Sequence, residues 1–218
     1  SADIVYVPTV FYKKFIQKYF FISKNVHILP NFVDTEIFKV DKSRRYKLKL
    51  LFVGRLVKQK NIFNIINSLS DSKYELDILG QGPLKSKIIN YANRKNVKIK
   101  FLKNISNNLM PRLYSKYNFL ILLSEYEGNP KVILEAMSCG VCVLGANTTG
   151  ISDILNNKNG LLIYLNHQKF IVKTIDKLLY SDTLKHIQNN ARNYIIDNHS
   201  INKILNKEMY FFNKIKFN

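Results

Sequence analysis

Between residues 48 and 163 the chain repeats one rhythm: a β-prone, mostly apolar run, a turn, then apolar residues at helical spacing. Runs at 48–53, 74–79, 97–102, 119–123, 141–145 and 161–163 read as strands. Helices are expected at 61–69, 84–95, 106–117 and 130–138, with a short one at 151–155. In the first of these, Ile62, Ile65, Ile66 and Leu69 recur at the spacing of one helix face. Strands that are apolar on both faces and alternate with helices imply a parallel sheet covered on both sides. The expected class is therefore α/β, a doubly wound parallel sheet with helices added at its C-terminal end. Such sheets bind ligands beyond the carboxyl ends of their strands. Gly54, Gly80, Glu127 and the loop 147–150 all fall there.

The flanks differ from this middle. Residues 4–7 read as a strand, 10–21 as a helix and 26–29 as a strand running into the loop Pro30-Asn31-Phe32-Val33-Asp34. Residues 39–47 are polar and basic, as a linker would be, and helices are expected at 168–180, 183–196 and 201–215. The expected division is a domain tail at 1–38, a linker at 39–47, a ligand-binding domain at 48–164 and C-terminal helices at 165–218. The chain begins at Ser1 without Met and already reads as a strand at 4–7, as a segment of a longer protein would.

Lys and Arg number 34 against 15 Asp and Glu, a net charge of +19. That balance suits phosphorylated ligands or an anionic membrane surface. The lysines are spread along the chain, and no RNP-like or zinc-finger pattern accompanies them, so a nucleic-acid partner is not expected. Abundant Lys, Asn, Ile, Phe and Tyr together are also what an AT-rich gene encodes. Cys139 and Cys142 stand at metal-like spacing, but zinc needs about four ligands and no second pair exists. They read as small buried hydrophobes in a reducing compartment. His27, His167, His186 and His199 are scattered and read as surface or internally satisfied residues. No apolar run approaches the ~20 residues of a membrane span, and no signal peptide is visible. A cytoplasmic protein is expected, with peripheral contact to the inner face of an anionic membrane.

Three segments carry chemistry. Gly54 turns the chain after the first strong strand, and Arg55 and Lys60 follow it near a helix start. A guanidinium fork, an ammonium and free amides together suit a diphosphate. Gly80-Gln81-Gly82 ends the next strand as a tight turn that lacks the third glycine of a dinucleotide fingerprint. The third segment runs from Ser124 to Met137. There Asn129 is placed to cap a helix and Pro130 to occupy its first position. Glu127 precedes that helix, where a carboxylate also suits the helix dipole. Glu135 sits within its apolar run, where a carboxylate requires a partner or a ligand. A carboxylate accepts two hydroxyl hydrogens at once, which suits the vicinal diols of sugars and ribose.

Taken in order, these segments resemble the retaining GT-B glycosyltransferases of family 4, the glycosyl transferases group 1. The matching pieces are Phe52-Val53-Gly54-Arg55-Leu56 with Lys60, Leu79-Gly80-Gln81-Gly82-Pro83, and Glu127…Glu135-Ala136-Met137-Ser138-Cys139-Gly140-Val141. Gly150-Ile151-Ser152-Asp153-Ile154 and Asn159-Gly160-Leu161-Leu162 complete the order, and 28–38 looks like the family's interdomain junction. The resemblance implies the Rossmann-like C-terminal domain of a GT-B enzyme with only the tail of the N-terminal acceptor domain.

The resemblance also implies roles. Arg55 and Lys60 would grip the donor diphosphate and act catalytically on the leaving group. Gly54 and Gly80 would shape the nucleotide cleft, and Glu127 would meet donor-sugar hydroxyls. Gly128, Asn129, Pro130, Lys131 and Val132 would line the sugar, and Glu135 would bind ribose. The implied reaction moves a hexosyl group from a nucleotide-diphosphate sugar to a glycan or lipid-linked acceptor, without metal or other cofactor. With most of the acceptor domain missing, this chain alone is expected to bind the donor better than to turn it over. The alternative is a non-catalytic nucleotide-sugar-binding subunit, or a part needing a separate N-terminal domain. Departures from the family pattern are Asn61 for a glycine, Gly128-Asn129-Pro130 for a glycine-rich turn, Asp153 for Glu, Cys142 for Pro and Lys103 for Gly.

Overall fold

The computed structural model of the protein describes residues 4–20, 25–41, 45–166 and 170–216, with side chains to 214. The first strand, β1 (Val5–Val7), connects through helix α1 (Val10–Tyr19) to a parallel partner, β2 (Val26–Ile28). The Thr9 hydroxyl oxygen accepts from the Tyr12 amide at the start of α1. Residue 21 of the expected helix, 42–44 of the expected linker, His167 and residues 168–169 lie outside the described residues.

The main sheet follows in the expected rhythm. It runs β3 (Tyr46–Val53), α2 (Ile62–Ser68), β4 (Glu75–Leu79), α3 (Lys85–Arg94), β5 (Ile99–Phe101), α4 (Met110–Tyr114), β6 (Tyr117–Leu122), α5 (Lys131–Ser138), β7 (Cys142–Ala146) and β8 (Leu161–Ile163). Three helices close the chain: α6 (Ile171–Leu179), α7 (Asp182–His199) and α8 (Ile201–Lys216). The six strands are all parallel in the order β5-β4-β3-β6-β7-β8. This is the Rossmann-like, doubly wound α/β fold expected from the sequence. Leu50, Leu51 and Phe52 of β3 and Leu120, Ile121 and Leu122 of β6 are fully buried between the helix layers. Burial on both sheet faces is what removes the alternating pattern from these strands.

Most element ends shift by a few residues from expectation, and three assignments change. Strand β3 begins at Tyr46, inside the 39–47 segment expected as a linker. The Tyr46 ring packs edge-on against Tyr117 at 5.3 Å, which favours pairing there. Arg45 is likewise fixed, donating to the carbonyls of Cys139, Gly140 and Tyr117. The helix expected at 106–117 divides into a 3-10 turn, Asn107–Leu109, and the short α4. Tyr117 leaves it for β6, where its hydroxyl donates to buried Asp77 at 2.6 Å. The short helix expected at 151–155 is instead a set of turns. There the Asn159 side chain accepts from the Asn156 amide at 2.7 Å and donates to the Ile154 carbonyl at 3.1 Å, which competes with helical pairing.

The β1–β2 unit and the main sheet meet along two chain crossings that bond to each other. The Val33 amide donates to the His199 carbonyl at 2.9 Å, and the Ile201 amide donates back to Val33 at 3.2 Å. Beyond this point α8 runs beside the small sheet, with Phe211 stacked on His27 at 4.1 Å. Among the described residues no helix is long and apolar enough to cross a membrane.

Candidate functional site

The strand order reverses between β3 and β6: the chain winds outward from β3 to β5, then restarts on the other side at β6. Loops leaving neighbouring strands at such a point go opposite ways and open a crevice at their carboxyl ends. Gly54 follows β3 there and Gly80 follows β4. The two turns are in contact. The Gly54 amide donates to the Leu79 carbonyl at 3.0 Å, and the Leu56 amide to the Gln81 carbonyl at 2.8 Å. A Cβ on Gly80 would lie 1.9 Å from the Gly54 carbonyl oxygen, so only glycine permits this approach.

The next segment joins the β3 side of the crevice to the β6 side. A 3-10 turn, Lys58–Lys60, ends at Asn61 with φ 54° and ψ 34°. This left-handed position is where the resembling family carries glycine. Asn is among the few other residues that adopt it readily. From this turn the Gln59 carbonyl accepts from the Glu125 amide at 2.9 Å, and the Gln59 side chain donates to the Tyr126 carbonyl at 2.7 Å. The Lys60 ammonium then meets the Glu127 carboxylate at 2.5 Å. The two side chains are 13% and 10% exposed, so this is a largely buried ion pair. Arg55 is exposed at the rim. Behind Glu127, its amide donates to the Thr149 carbonyl at 3.0 Å. Gly150, at φ +83°, packs so closely that a Cβ would lie 2.2 Å from the Glu127 carbonyl oxygen.

The start of α5 corrects the expected capping. Pro130, in extended backbone at φ −73° and ψ 109°, is the N-cap rather than the first helical residue, and Asn129 caps nothing. The Asn129 side-chain oxygen instead accepts from the Asn31 amide at 2.9 Å, and its carbonyl accepts from the Asn31 side chain at 2.5 Å. Proline's preference for extended geometry holds the entry, and Asn31 takes up the polar groups that a cap would have used. The amides of Lys131 and Val132 belong to the first helical turn, which has no intrahelical acceptor for them. A Cβ on Gly128 would meet open space.

One turn into α5, Ile133, Leu134, Ala136 and Met137 are buried while Glu135 is only partly so. The Tyr114 hydroxyl donates to its carboxylate at 2.8 Å. Burial pushes the Glu135 pKa above its ordinary value, opposed by the Tyr114 hydrogen bond and the Lys131 charge. Tyr114, Asn31, Gln59 and Thr149 support the site and were not identified from the sequence. A polar side chain in an otherwise core-facing segment marks Tyr114, but its partner is fixed only by the fold.

Cys139 and Cys142 are buried free thiols, with burial pushing both up to about 12. His199 is buried, and its Nδ1 bonds the Asn31 carbonyl at 3.0 Å. Among the described residues no three of His, Cys, Asp and Glu gather as metal ligands would.

Comparison with known proteins gives the family of the chain. The family described as "Glycosyl transferases group 1" matches residues 33–194. The chain belongs to this family. A Campylobacter jejuni relative is 27% identical over 84% of this chain and 51% of its own length. It is named as a GalNAc-alpha-(1->4)-GalNAc-alpha-(1->3)-diNAcBac-PP-undecaprenol alpha-1,4-N-acetyl-D-galactosaminyltransferase. An Escherichia coli relative is 28% identical over 84% of this chain and 52% of its own length. It is named as a UDP-Gal:alpha-D-GlcNAc-diphosphoundecaprenol alpha-1,3-galactosyltransferase. Among solved structures, a Staphylococcus aureus TarM variant in complex with fondaparinux, alpha-GlcNAc-glycerol and UDP superposes with a TM-score of 0.83. It is 26% identical and matches 97% of this chain and 44% of its own. This group 1 chain thus spans about half the length of the relatives it matches, and its fold is that of the GT-B glycosyltransferases.

Proposed function

We propose that this chain is the donor-binding half of a retaining glycosyltransferase. It would transfer a hexosyl group from a nucleotide-diphosphate sugar to a glycan or lipid-linked acceptor. The observation that carries this reading is the Lys60–Glu127 pair at the strand-order reversal. It puts a cation and a hydroxyl-accepting carboxylate at one point of the crevice. A diphosphate entering there draws the Lys60 ammonium and the Arg55 guanidinium to its oxygens. Glu127, released from Lys60, then accepts from hydroxyls of the attached sugar. Glu135 accepts from the ribose diol, with Tyr114 holding its second oxygen.

In this reading Arg55 and Lys60 are the catalytic residues. As the bond from the sugar to the diphosphate breaks, negative charge grows on the departing oxygen, and fixed cations stabilise it more than the ground state. Charge neutralisation is assigned to these side chains, and no cofactor or metal is given a role. The first-turn amides of Lys131 and Val132 face the sugar, while Gly54, Gly80, Gly128, Asn129 and Pro130 shape the cleft. Glu127 and Glu135 bind and transfer no proton. The domain division at 1–38, 39–47, 48–164 and 165–218 and contact of the basic chain with an anionic membrane at the cytoplasmic face belong to the same proposal.

Calorimetric titration of the 218-residue chain with uridine and guanosine diphosphate sugars, with a chelator present, tests the reading. One of these donors binds and its free nucleoside diphosphate competes. A folded chain that binds none of them would overturn it.

A further inference from the structure

Asn31 stands where the two lobes join. It lies between β2 and Val33, and Val33 pairs with Ser200 where the chain crosses back. The first crossing is therefore bonded to the second through Val33 and also through Asn31, whose carbonyl meets His199 Nδ1. The same residue reaches across the sequence to Asn129 with its amide and its side chain. Asn129 and His199 are both buried, at 8% and 5% exposure, so these bonds compete little with water. Asn129, Asp153 and His199 also line a cavity of about 230 Å³ between the two crossings and the turn.

We infer that Asn31 is a positioning residue for sugar recognition: it clamps the Asn129–Pro130 turn and so fixes the first-turn amides of α5 at the donor sugar. The inference rests on the donor-binding reading above and adds to it a residue outside the crevice. Pro130 cannot donate an amide and leaves the helix entry without a side-chain cap. The turn is consequently held from outside, and Asn31 supplies the donors that hold it. The nucleotide end of the ligand lies on Arg55, Lys60 and Glu135, none of which bonds Asn31. Sugar affinity therefore depends on Asn31 and nucleotide affinity does not. Because the clamp sits on the lobe crossing, a shift of one lobe against the other is transmitted to the sugar end of the site.

The test uses the whole chain, with Asn31→Ala and Asn31→Asp as variants. Asn31→Asp keeps the shape of the side chain but leaves the Asn129 carbonyl without its side-chain donor. Hydrogen exchange by mass spectrometry is read without ligand over 125–135, and affinities for UDP and UDP-galactose are read by calorimetry. Asn31→Ala is expected to speed exchange in that segment and leave β3 and β4 unchanged. It weakens UDP-galactose about tenfold while UDP stays within about twofold, the loss of one well-placed hydrogen bond. Asn31→Asp is expected to act as Asn31→Ala does, because the lost donor is the cause, and parental exchange and affinities in Asn31→Asp would overturn the inference. Unchanged exchange over 125–135 in Asn31→Ala overturns the inference whether or not either probe binds. So does an equal loss for UDP and UDP-galactose. Failure of the parent chain to bind any nucleotide sugar overturns the donor-binding reading instead, and the exchange arm alone then decides the clamp.

Discussion

The Tyr114 hydroxyl donates to the Glu135 carboxylate at 2.8 Å, joining α4 to the helix that carries the crevice's second glutamate. Glu135 is half-buried in an apolar helix, and burial raises the pKa of its carboxyl. Its folded-state pKa lies above the ordinary value, so in the window above 4.5 the folded chain binds more protons than the unfolded chain. Stability therefore falls as pH rises through that window, and the deficit remains at neutral pH.

Replacing Glu135 by Gln removes that deficit and keeps an acceptor for Tyr114. Urea unfolding at pH 7 is expected to show a higher midpoint for Glu135→Gln than for the parent, with the difference shrinking towards pH 4. The same variant is expected to lose nucleotide affinity, a trade of stability against binding seen at functional sites. A lower midpoint at pH 7 would remove burial as the cause.

The Lys60–Glu127 pair predicts a non-additive pattern. Lys60→Met strands a carboxylate that is 10% exposed, and breaking such a buried pair costs about 3 kcal/mol. Adding Glu127→Gln is expected to restore a large part of that loss, since the uncompensated charge goes with it. Denaturant unfolding of both singles and the double measures the coupling. Additive losses would show that the two residues act separately in the fold.

Gly150→Ala tests the packing behind Glu127. Its φ of +83° costs an L-residue about 1–2 kcal/mol, and the new Cβ would lie 2.2 Å from the Glu127 carbonyl oxygen. A fall in thermal midpoint together with weaker nucleotide-sugar binding is expected. A fall in midpoint with parental affinity would place the strain away from the site.

The sheet was legible because its strands are apolar on both faces and each ends in a recognisable turn. Glu135 was legible for the opposite reason, a charge where the helix has no place for one. What escaped was set by residues distant in sequence. Asn129 looked like a cap until Asn31, 98 positions earlier, occupied its side chain. Tyr46 looked like linker until Tyr117 gave its ring a partner. The helix expected at 151–155 yielded to Asn159, whose side chain competes for the same backbone groups. Local pattern marks an element and its face, but capping and pairing depend on partners that only the fold supplies.

His199 predicts acid sensitivity at the lobe crossing. Burial holds its pKa below the ordinary 6.5, against the opposing hydrogen bond to Asn31. Below pH 6.5 the unfolded chain takes up a proton that the folded chain resists, so stability falls as pH drops through that window. Between pH 7 and pH 5, the parent is expected to lose more stability than His199→Gln. Parallel slopes for the two chains would assign the acid loss to other groups.

Arg55 and Lys60 are the proposed diphosphate grip of a glycosyl donor site. The calorimetric Kd of the nucleoside diphosphate that the parent binds, repeated for Arg55→Ala and Lys60→Ala, tests that grip. Each loses a charge-assisted contact, so each is expected to bind at least about tenfold more weakly. Parental affinity in both variants would contradict the account.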